Sequence, residues 1–288
     1  MKTLIFTSIY SNLWKTEFGG RPSRSFHYRF SLLNILNLKA DKFICFTSES
    51  EINDLKNFFY VNNNISEDTL QFVSFDLKDT KHFNEIKHLK NMDFIQTSDR
   101  CFEVQYNKLF FIDNIPNIEQ YDRVFWFDAG LSHSGLFPMK YAVGENYEQY
   151  FTFSLFNEQF LNYLNDLSNS KLVVVLKNNT GRFFWSQTLP HEYFENYDNS
   201  EYIIGGFFGG TVENFKNLKN IFENLLIRLL QDGDDLYCEE MILSCLYQNN
   251  KELFFPLRFD DWYERDFHEL SDNIKYFYNI FELNKDNE

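Results

Sequence analysis

The chain has 288 residues, 44% of them hydrophobic and 24% charged, which is enough to fold around a large buried core. Its formal net charge of −15 argues against a nucleic-acid-binding protein, which would bind phosphates through a basic surface. The same charge disfavours electrostatic attachment to an anionic membrane. No apolar run approaches the roughly 18 residues that span a bilayer, and the N-terminus lacks a signal-peptide core.

Strand and helix patterns alternate along the first half of the chain. Apolar strand patterns cover residues 3–10, 42–47, 70–77 and 123–128, and helical spacing covers residues 26–38, 49–60, 81–89 and 102–118. Because alternating strands and helices form parallel sheets, this half predicts a mainly parallel sheet with helices on both faces.

The second half is less regular. It contains helix patterns over residues 147–167, 212–230 and 236–247, and strand patterns over residues 171–176 and 253–259. No repeat, low-complexity linker or composition break divides the chain. We therefore expect a single domain over residues 1–288, with a nucleotide-binding half at 1–130 and a second half at 131–288. The four cysteines show no metal-site spacing and are expected in the core: Cys45, Cys101, Cys238 and Cys245.

A glycine-rich run is the most informative segment of the sequence. Residues 202–211 read Tyr-Ile-Ile-Gly-Gly-Phe-Phe-Gly-Gly-Thr, and a helix pattern follows at once. Glycine weakens a strand, so its presence there indicates a bend or a close approach of the backbone to a ligand. The alternative is a glycine-rich turn between two buried segments.

Three carboxylates are candidates for chemistry. Asp128 ends the fourth strand pattern, where parallel sheets gather their ligands, although a turn cap would explain it as well. Glu239 lies beside the apolar stripe of the 236–247 helix pattern, and Glu240 lies off it. The two glutamates are either solvated acids of a first helical turn or carboxylates that face a cleft and act at a reacting centre.

Several cations could hold a diphosphate. Arg21 and Arg24 are spaced to share one helix face, and the fork of arginine matches phosphate oxygens, although a solvated surface is the commoner outcome. Lys108, predicted on the helix before Asp128, and Arg182, in a polar loop, are further anion-binding candidates.

The sequence resembles the GT-A class of glycosyltransferases. The strand that ends in Trp126-Phe127-Asp128-Ala129-Gly130 is similar to the strand that carries the Asp-x-Asp motif of this class, and bacterial HtrL/YibB-like proteins share its Trp-x-Asp-Ala-Gly signature. The glycine run resembles that of the blood-group transferase family, in which a helix and an acidic pair follow. Glu240 takes the position of that family's catalytic-site glutamate.

The resemblance implies a GT-A-like, Rossmann-like fold and the transfer of a sugar from a nucleotide-diphosphate donor to a hydroxyl of a bacterial surface glycan. The lack of a signal-peptide core and of a spanning apolar run predicts a cytoplasmic protein with at most peripheral contact at the inner face of the inner membrane, and residues 131–288 are expected to be its acceptor-side half. Asp128, Glu239 and Glu240 would then be catalytic. The donor- or acceptor-binding residues would be Arg21, Arg24, Lys108, Ala129, Gly130, Arg182, Gly205, Gly206, Phe207, Phe208, Gly209 and Gly210.

A divalent cation, Mn²⁺ or Mg²⁺, would be held by Asp128 with help from His268. Two departures bear on this expectation: Gly130 stands where the motif has its second acid, and Cys238 replaces the histidine that flanks the acidic pair. Metal dependence and stereochemistry therefore do not follow from the resemblance. The alternatives are a nucleotidyl- or phosphotransferase on the same scaffold and a non-catalytic protein that binds a nucleotide sugar or a glycan.

Overall fold

The computed structural model describes residues 1–10, 24–89, 102–130, 157–178, 201–232 and 239–259. The strands within these ranges are β1 (Thr3–Ser8), β2 (Lys42–Thr47), β3 (Leu70–Ser74), β4 (Arg123–Phe127), β5 (Leu172–Asn178), β6 (Glu201–Thr211) and β7 (Phe254–Phe259). The α-helices are α1 (Arg24–Leu36), α2 (Glu49–Lys56), α3 (Phe83–Leu89), α4 (Phe102–Gln105), α5 (Glu158–Leu167), α6 (Val212–Asp232) and α7 (Glu239–Asn249). A π-helix, Asn57–Asn62, continues α2 directly.

The described strands form one seven-stranded sheet in the order β3-β2-β1-β4-β6-β5-β7. The pairs β1–β2, β2–β3, β1–β4 and β5–β7 are parallel, whereas β6 runs antiparallel to both of its neighbours. The prediction of a mainly parallel sheet is confirmed, and the sheet takes strands from both halves of the chain.

Helices cover both faces of the sheet, as predicted. Successive residues of a strand point to opposite faces, so Ile5 belongs to one core cluster while its neighbours Leu4 and Phe6 belong to the other. Helices α1, α2 and α5 pack over the first cluster, and α6 and α7 pack over the second.

Two of the four cysteines lie in the described ranges. Cys45 and Cys245 are buried free thiols, as predicted for core cysteines. Burial raises the pKa of both thiols above the ordinary value, so they stay protonated and act as small apolar side chains. Cys101 and Cys238 lie outside the described residues.

Side-chain caps fix where two of these helices begin. The Asn157 side chain accepts a hydrogen bond from the Phe160 N–H at the start of α5. The Thr211 hydroxyl accepts one from the Asn214 N–H, so the last residue of β6 caps α6. Such caps satisfy backbone donors that have no partner within the helix. The strand β6 therefore passes directly into α6, as the sequence predicts.

The helix predicted over residues 102–118 is wrong. Only α4 is an α-helix, and turns and two 3₁₀ segments, Phe110–Asn114 and Ile118–Gln120, follow it. The residue before a proline avoids the helical region, and Ile115, which precedes Pro116, is extended with ψ of 118°. Lys108 consequently lies in a turn and not on a helix.

No helix within the described ranges is long and apolar enough to cross a membrane.

The segment after β3 is tied to α6 by a small ionic cluster. Glu223 of α6 lies 2.8 Å from the Lys81 ammonium and 2.9 Å from Nε2 of His82. Burial alone raises the pKa of Glu223, but the hydrogen bonds and charges of Lys81 and His82 outweigh burial and lower the pKa below its usual value. A depressed carboxylate pKa stabilises the fold above the unfolded-state pKa, and this stabilisation is lost as the pH falls through the folded-state pKa.

We therefore expect Glu223→Gln to lower the free energy of unfolding at neutral pH and to make acid unfolding less steep. Urea unfolding measured as a function of pH checks this. Glu213→Gln, at an acid in the first turn of the same helix, serves as the control. An unchanged pH dependence in Glu223→Gln would contradict the proposed linkage.

Candidate active site

The strand order creates a crevice at the carboxyl ends of β1 and β4. Strand β1 pairs with β2 on one side and with β4 on the other. The strands that follow β1 in the chain, β2 and β3, thus lie on one side of it, and β4 lies on the other. Ligands of open α/β sheets bind at such a switch point. Asp128 is the first residue after β4, and 38% of its side chain is exposed. The fold thus places the predicted carboxylate at the edge where a ligand is expected.

A buried ion pair lies beside Asp128. The Lys108 Nζ is 2.6 Å from Oε1 of Glu239 and 3.4 Å from Oδ2 of Asp128, while the Lys108 and Glu239 side chains are only 6% and 2% exposed. Burial alone would lower the pKa of Lys108, but the Glu239 and Asp128 carboxylates outweigh burial and raise the pKa above its ordinary value. Lys108 is therefore a charged ammonium shared by two carboxylates, and Glu239 is not the solvated acid of the alternative interpretation.

The first two glycines of the glycine run lie at a bulge in the pairing of β6 with β5, while β6 stays paired with β4. The neighbouring residues Val174 and Val175 of β5 pair with Phe208 and Ile204, so residues 205–207 have no partner in β5. Other groups hold this bulge: the Gly205 carbonyl accepts from Lys108 at 3.0 Å, and the Gly206 carbonyl accepts from the Asp128 N–H at 2.7 Å. The backbone bends where the sequence predicts a bend, directly beside the ion pair.

Two side chains of helix α7 accept hydrogen bonds from the backbone of β6 at and near this bulge. The Glu240 Oε1 accepts the Gly205 N–H at 2.9 Å, and the Ser244 hydroxyl accepts the Ile203 N–H at 2.8 Å. Residues four apart share one face of a helix, so Glu240 and Ser244 both point at β6. Sequence reasoning missed Ser244, although its spacing from the acidic pair is the signal that could have found it.

One polar atom of the site is unsatisfied. The Glu239 Oε2 is buried and has no hydrogen-bond partner within the described residues. Leaving a buried charged acceptor without a partner costs free energy, so such an atom in a folded protein calls for a ligand or a water. The carboxylate oxygen is thus available to accept a hydrogen bond.

Packing accounts for the remaining members of the glycine run. The Phe207 ring stacks on Phe127 in one core cluster, and the Phe208 ring stacks on Phe215 in the other. A Cβ atom built on Gly209 would lie 2.3 Å from the Val124 carbonyl oxygen of β4, and one on Gly210 would lie 3.0 Å from the Lys171 carbonyl oxygen. The glycines at these two positions let neighbouring strands approach closely.

Two residues that follow Asp128 turn the chain away from the sheet. Ala129 is buried in the core cluster of α1, α2 and α5. The Gly130 N–H donates to Oδ1 of Asp128 at 3.0 Å. This hydrogen bond is the turn cap that the sequence offers as an alternative role for Asp128. The other oxygen, Oδ2, faces Lys108.

The structure does not describe where four of the predicted binding side chains lie. Arg24 is the first residue of α1. Arg21, Arg182 and His268 lie outside the described residues.

A side chain at Gly205 would meet other side chains, whereas one at Gly209 would meet the backbone of β4. A Cβ on Gly205 would lie 2.5 Å from Oε1 of Glu239 and 3.2 Å from the Lys108 Nζ. We expect Gly205→Ala to shift the flexible Glu239 carboxylate while it stays paired with Lys108, and to abolish function at a smaller cost in stability than Gly209→Ala. Gly209→Ala should instead lower stability more strongly, because it meets rigid backbone of β4.

Thermal unfolding and ligand binding, measured on both variants, separate the two effects. Asn220→Ala is the control, because Asn220 is exposed in the middle of α6, the helix that follows the glycine run. The control should change neither stability nor binding appreciably. Equal stability losses in Gly205→Ala and Gly209→Ala would contradict the distinction.

The donor set of the site does not form a metal centre by itself. Among the described residues, no group of three or more His, Cys, Asp and Glu side chains could hold an ion. Asp128 offers one carboxylate, of which Oδ1 accepts a hydrogen bond and Oδ2 faces the Lys108 ammonium. A divalent cation held by these residues would therefore need most of its ligands from a substrate or from water.

Comparison with known proteins finds similarity only at the level of structure. No protein-family model and no curated protein matches the chain by sequence. A 4-diphosphocytidyl-2C-methyl-D-erythritol synthase from Anaerococcus prevotii is 12% identical with a TM-score of 0.41, and the match covers 98% of both chains. The galactosyltransferase LgtC, solved with donor and acceptor sugar analogues, is 11% identical with a TM-score of 0.46, covering 88% of this chain and 72% of its own.

A mannosyltransferase from S. cerevisiae, Ktr4p, is 10% identical with a TM-score of 0.47, covering 84% of this chain and 64% of its own. At these values the similarity concerns the general course of the chain. The chemistry of the site has to be inferred from its own residues.

Proposed function

We propose that the protein is a GT-A-type glycosyltransferase that moves a sugar from a nucleotide-diphosphate donor to a hydroxyl group of a glycan. The observation that carries this proposal is the unsatisfied Oε2 of Glu239, buried beside Lys108 and Asp128 at the switch point of the sheet. A sugar hydroxyl is a neutral hydrogen-bond donor that would satisfy this oxygen without adding charge.

The charges of the site favour a sugar over a bare diphosphate at this position. The Lys108 ammonium lies 2.6 Å from the Glu239 carboxylate and 3.4 Å from that of Asp128, and the negative charge of Glu240 acts on it as well. This excess of negative charge would repel an anion but would accept hydroxyl donors. In the proposed complex the donor sugar lies beside the Gly205–Gly206 bulge, where it contacts the Glu239 carboxylate that packs against Gly205.

The diphosphate then needs cations from outside the described part of the site. Arg21, Arg24 and Arg182 are the proposed partners, because the guanidinium fork pairs with two phosphate oxygens at once. Transfer replaces the bond between the anomeric carbon and the diphosphate oxygen by a bond to the acceptor oxygen, and the acceptor proton leaves with the diphosphate. Such a site works by positioning the two substrates and stabilising the departing charge.

The two glutamates have different roles in this proposal. Glu239 contacts the donor sugar, because it has the free oxygen. Glu240 positions the bulge through its hydrogen bond to Gly205, although the family resemblance assigns it the catalytic position. We further propose that the acceptor is a bacterial surface glycan, which rests on the resemblance to HtrL/YibB-like proteins.

Turnover of a panel of nucleotide sugars tests the proposed function. The purified chain is incubated with each donor, with and without methyl glycosides as acceptors, and the release of nucleoside diphosphate is measured. One donor is expected to give release that an acceptor accelerates. Release of pyrophosphate from a nucleoside triphosphate and a sugar phosphate would instead identify a nucleotidyltransferase. Binding without any turnover would identify a non-catalytic protein.

We expect most transfer activity to be lost in excess chelator and regained with Mn²⁺, because one carboxylate and the diphosphate together can hold a divalent ion. Titration calorimetry checks the same point without turnover. Mn²⁺ should bind the protein measurably only when nucleoside diphosphate is present. Full activity in chelator would show that the arginines suffice to neutralise the diphosphate.

A further inference from the structure

A cavity whose wall contains none of the ion-pair residues lies beside the carboxyl end of β3. It has a volume of about 210 Å³, and its wall includes Phe75, Asp79, Asn107, Phe110 and Lys81. Phe75 directly follows β3, and Asn107 directly precedes Lys108 in the chain. One residue of the wall is thus a chain neighbour of Lys108, but none of the three carboxylates of the candidate active site lines the cavity.

The wall of the cavity combines an aromatic surface with polar side chains. The Phe75 ring is partly buried and is held edge-on by Phe46 and Phe111, at 6.1 and 5.5 Å between ring centroids. Asn107 is only 1% exposed, and its Oδ1 has no hydrogen-bond partner in the described part of the chain. That oxygen is itself buried, so the polar group that the wall offers to a ligand is the carboxylate of Asp79, which is exposed.

The wall also contains charged side chains. Asp79 is exposed there, while the Lys81 ammonium lies 5.6 Å from the centre of the Phe110 ring and pairs with Glu223. The carboxylate of Asp113, also in the wall, is engaged by Lys219. Lys81 and Asp113 are thus each paired with a residue of α6, and Asp79 remains as the exposed carboxylate of the wall.

We propose that this cavity binds one sugar ring of the acceptor glycan, away from the hydroxyl that reacts. A pyranose has a C–H face that packs on an aromatic ring and hydroxyl groups that donate to amide and carboxylate oxygens. The cavity is smaller than the roughly 300–1,000 Å³ typical of sites for drug-sized ligands, so it has room for a single ring. The acceptor assignment rests on the proposed function, whereas the binding of a sugar ring does not.

Binding of methyl glycosides without any donor tests the proposal. The probes are the methyl glycosides of glucose, galactose, mannose and N-acetylglucosamine, followed by ligand-observed NMR titration of the full chain. At least one should bind with millimolar affinity. Asp79→Ala and Phe75→Leu should each weaken it at least tenfold, and Asp68→Ala, which removes an exposed carboxylate at the opposite end of β3, should not. Asp128→Asn should also leave the affinity unchanged.

Four results would overturn the proposal. The first is that no methyl glycoside binds, and the second is that Asp128→Asn weakens binding while the cavity variants do not. The other two are displacement of the glycoside by uridine or guanosine diphosphate and its displacement by tetramethylammonium. Displacement by a nucleotide would assign the cavity to the donor site. The outcome stays distinct from that of the proposed function, because turnover of nucleotide sugars is measured separately. Sugar binding in the cavity without turnover of any donor would refute the transferase and the acceptor assignment, but not the sugar site.

Discussion

Replacing Asp128 with asparagine is expected to lower sugar transfer about 100-fold or more and to leave the fold intact. Loss of one charge-stabilising contact in a closed active site has an effect of roughly this size on turnover. Asparagine keeps an oxygen that can accept the Gly130 N–H, and the backbone hydrogen bond from residue 128 to Gly206 does not involve the side chain. The substitution therefore removes the charge while preserving the local structure.

Steady-state turnover at saturating donor, together with thermal unfolding, measures this effect. Asp122→Asn is the matched control, because Asp122 lies at the other end of β4, where its carboxylate accepts a hydrogen bond from the Lys2 N–H. The control should retain its activity. Undiminished turnover of Asp128→Asn would remove Asp128 from the active site.

Replacing Lys108 with methionine is expected to destabilise the fold by about 3–5 kcal/mol, the cost of breaking a buried ion pair by removing one partner. Glu239 would keep a buried carboxylate with neither oxygen paired to a cation, since its Oε2 already lacks a partner among the described residues. The Gly205 carbonyl would also lose its donor. We expect transfer activity to disappear together with the stability.

Urea unfolding of single and double variants checks the pairing. Glu239→Gln combined with Lys108→Met should recover part of the loss, which gives a coupling energy between the two positions. Lys56→Met is the matched control, because Lys56 pairs with Glu67 on the surface, where such pairs contribute at most about 1 kcal/mol. Additive effects at Lys108 and Glu239 would show that the ion pair does not stabilise the fold.

Local patterns were sufficient to predict most of the secondary structure. The strands over 42–47 and 123–127 and the helix that begins at Val212 follow from residue periodicity, which depends on neighbouring residues alone. The prediction of a helix over 102–118 failed because the four consecutive apolar residues 109–112 are all buried, which does not fit a single face of a helix. Pro116 was the available sign that a helix could not continue.

The sequence by itself determined the class of the sheet, the strand-end position of Asp128 and the bend at Gly205, because strand alternation and glycine conformation are local properties. Only the tertiary structure decided which groups meet there. Lys108 and Glu239 are far apart in the chain, and the pairing of β4 with β6 and the packing of α7 on β6 bring them together. Because both side chains are buried, the negative charge of Glu239 keeps Lys108 protonated. This interaction between distant residues cannot be predicted from residue periodicity.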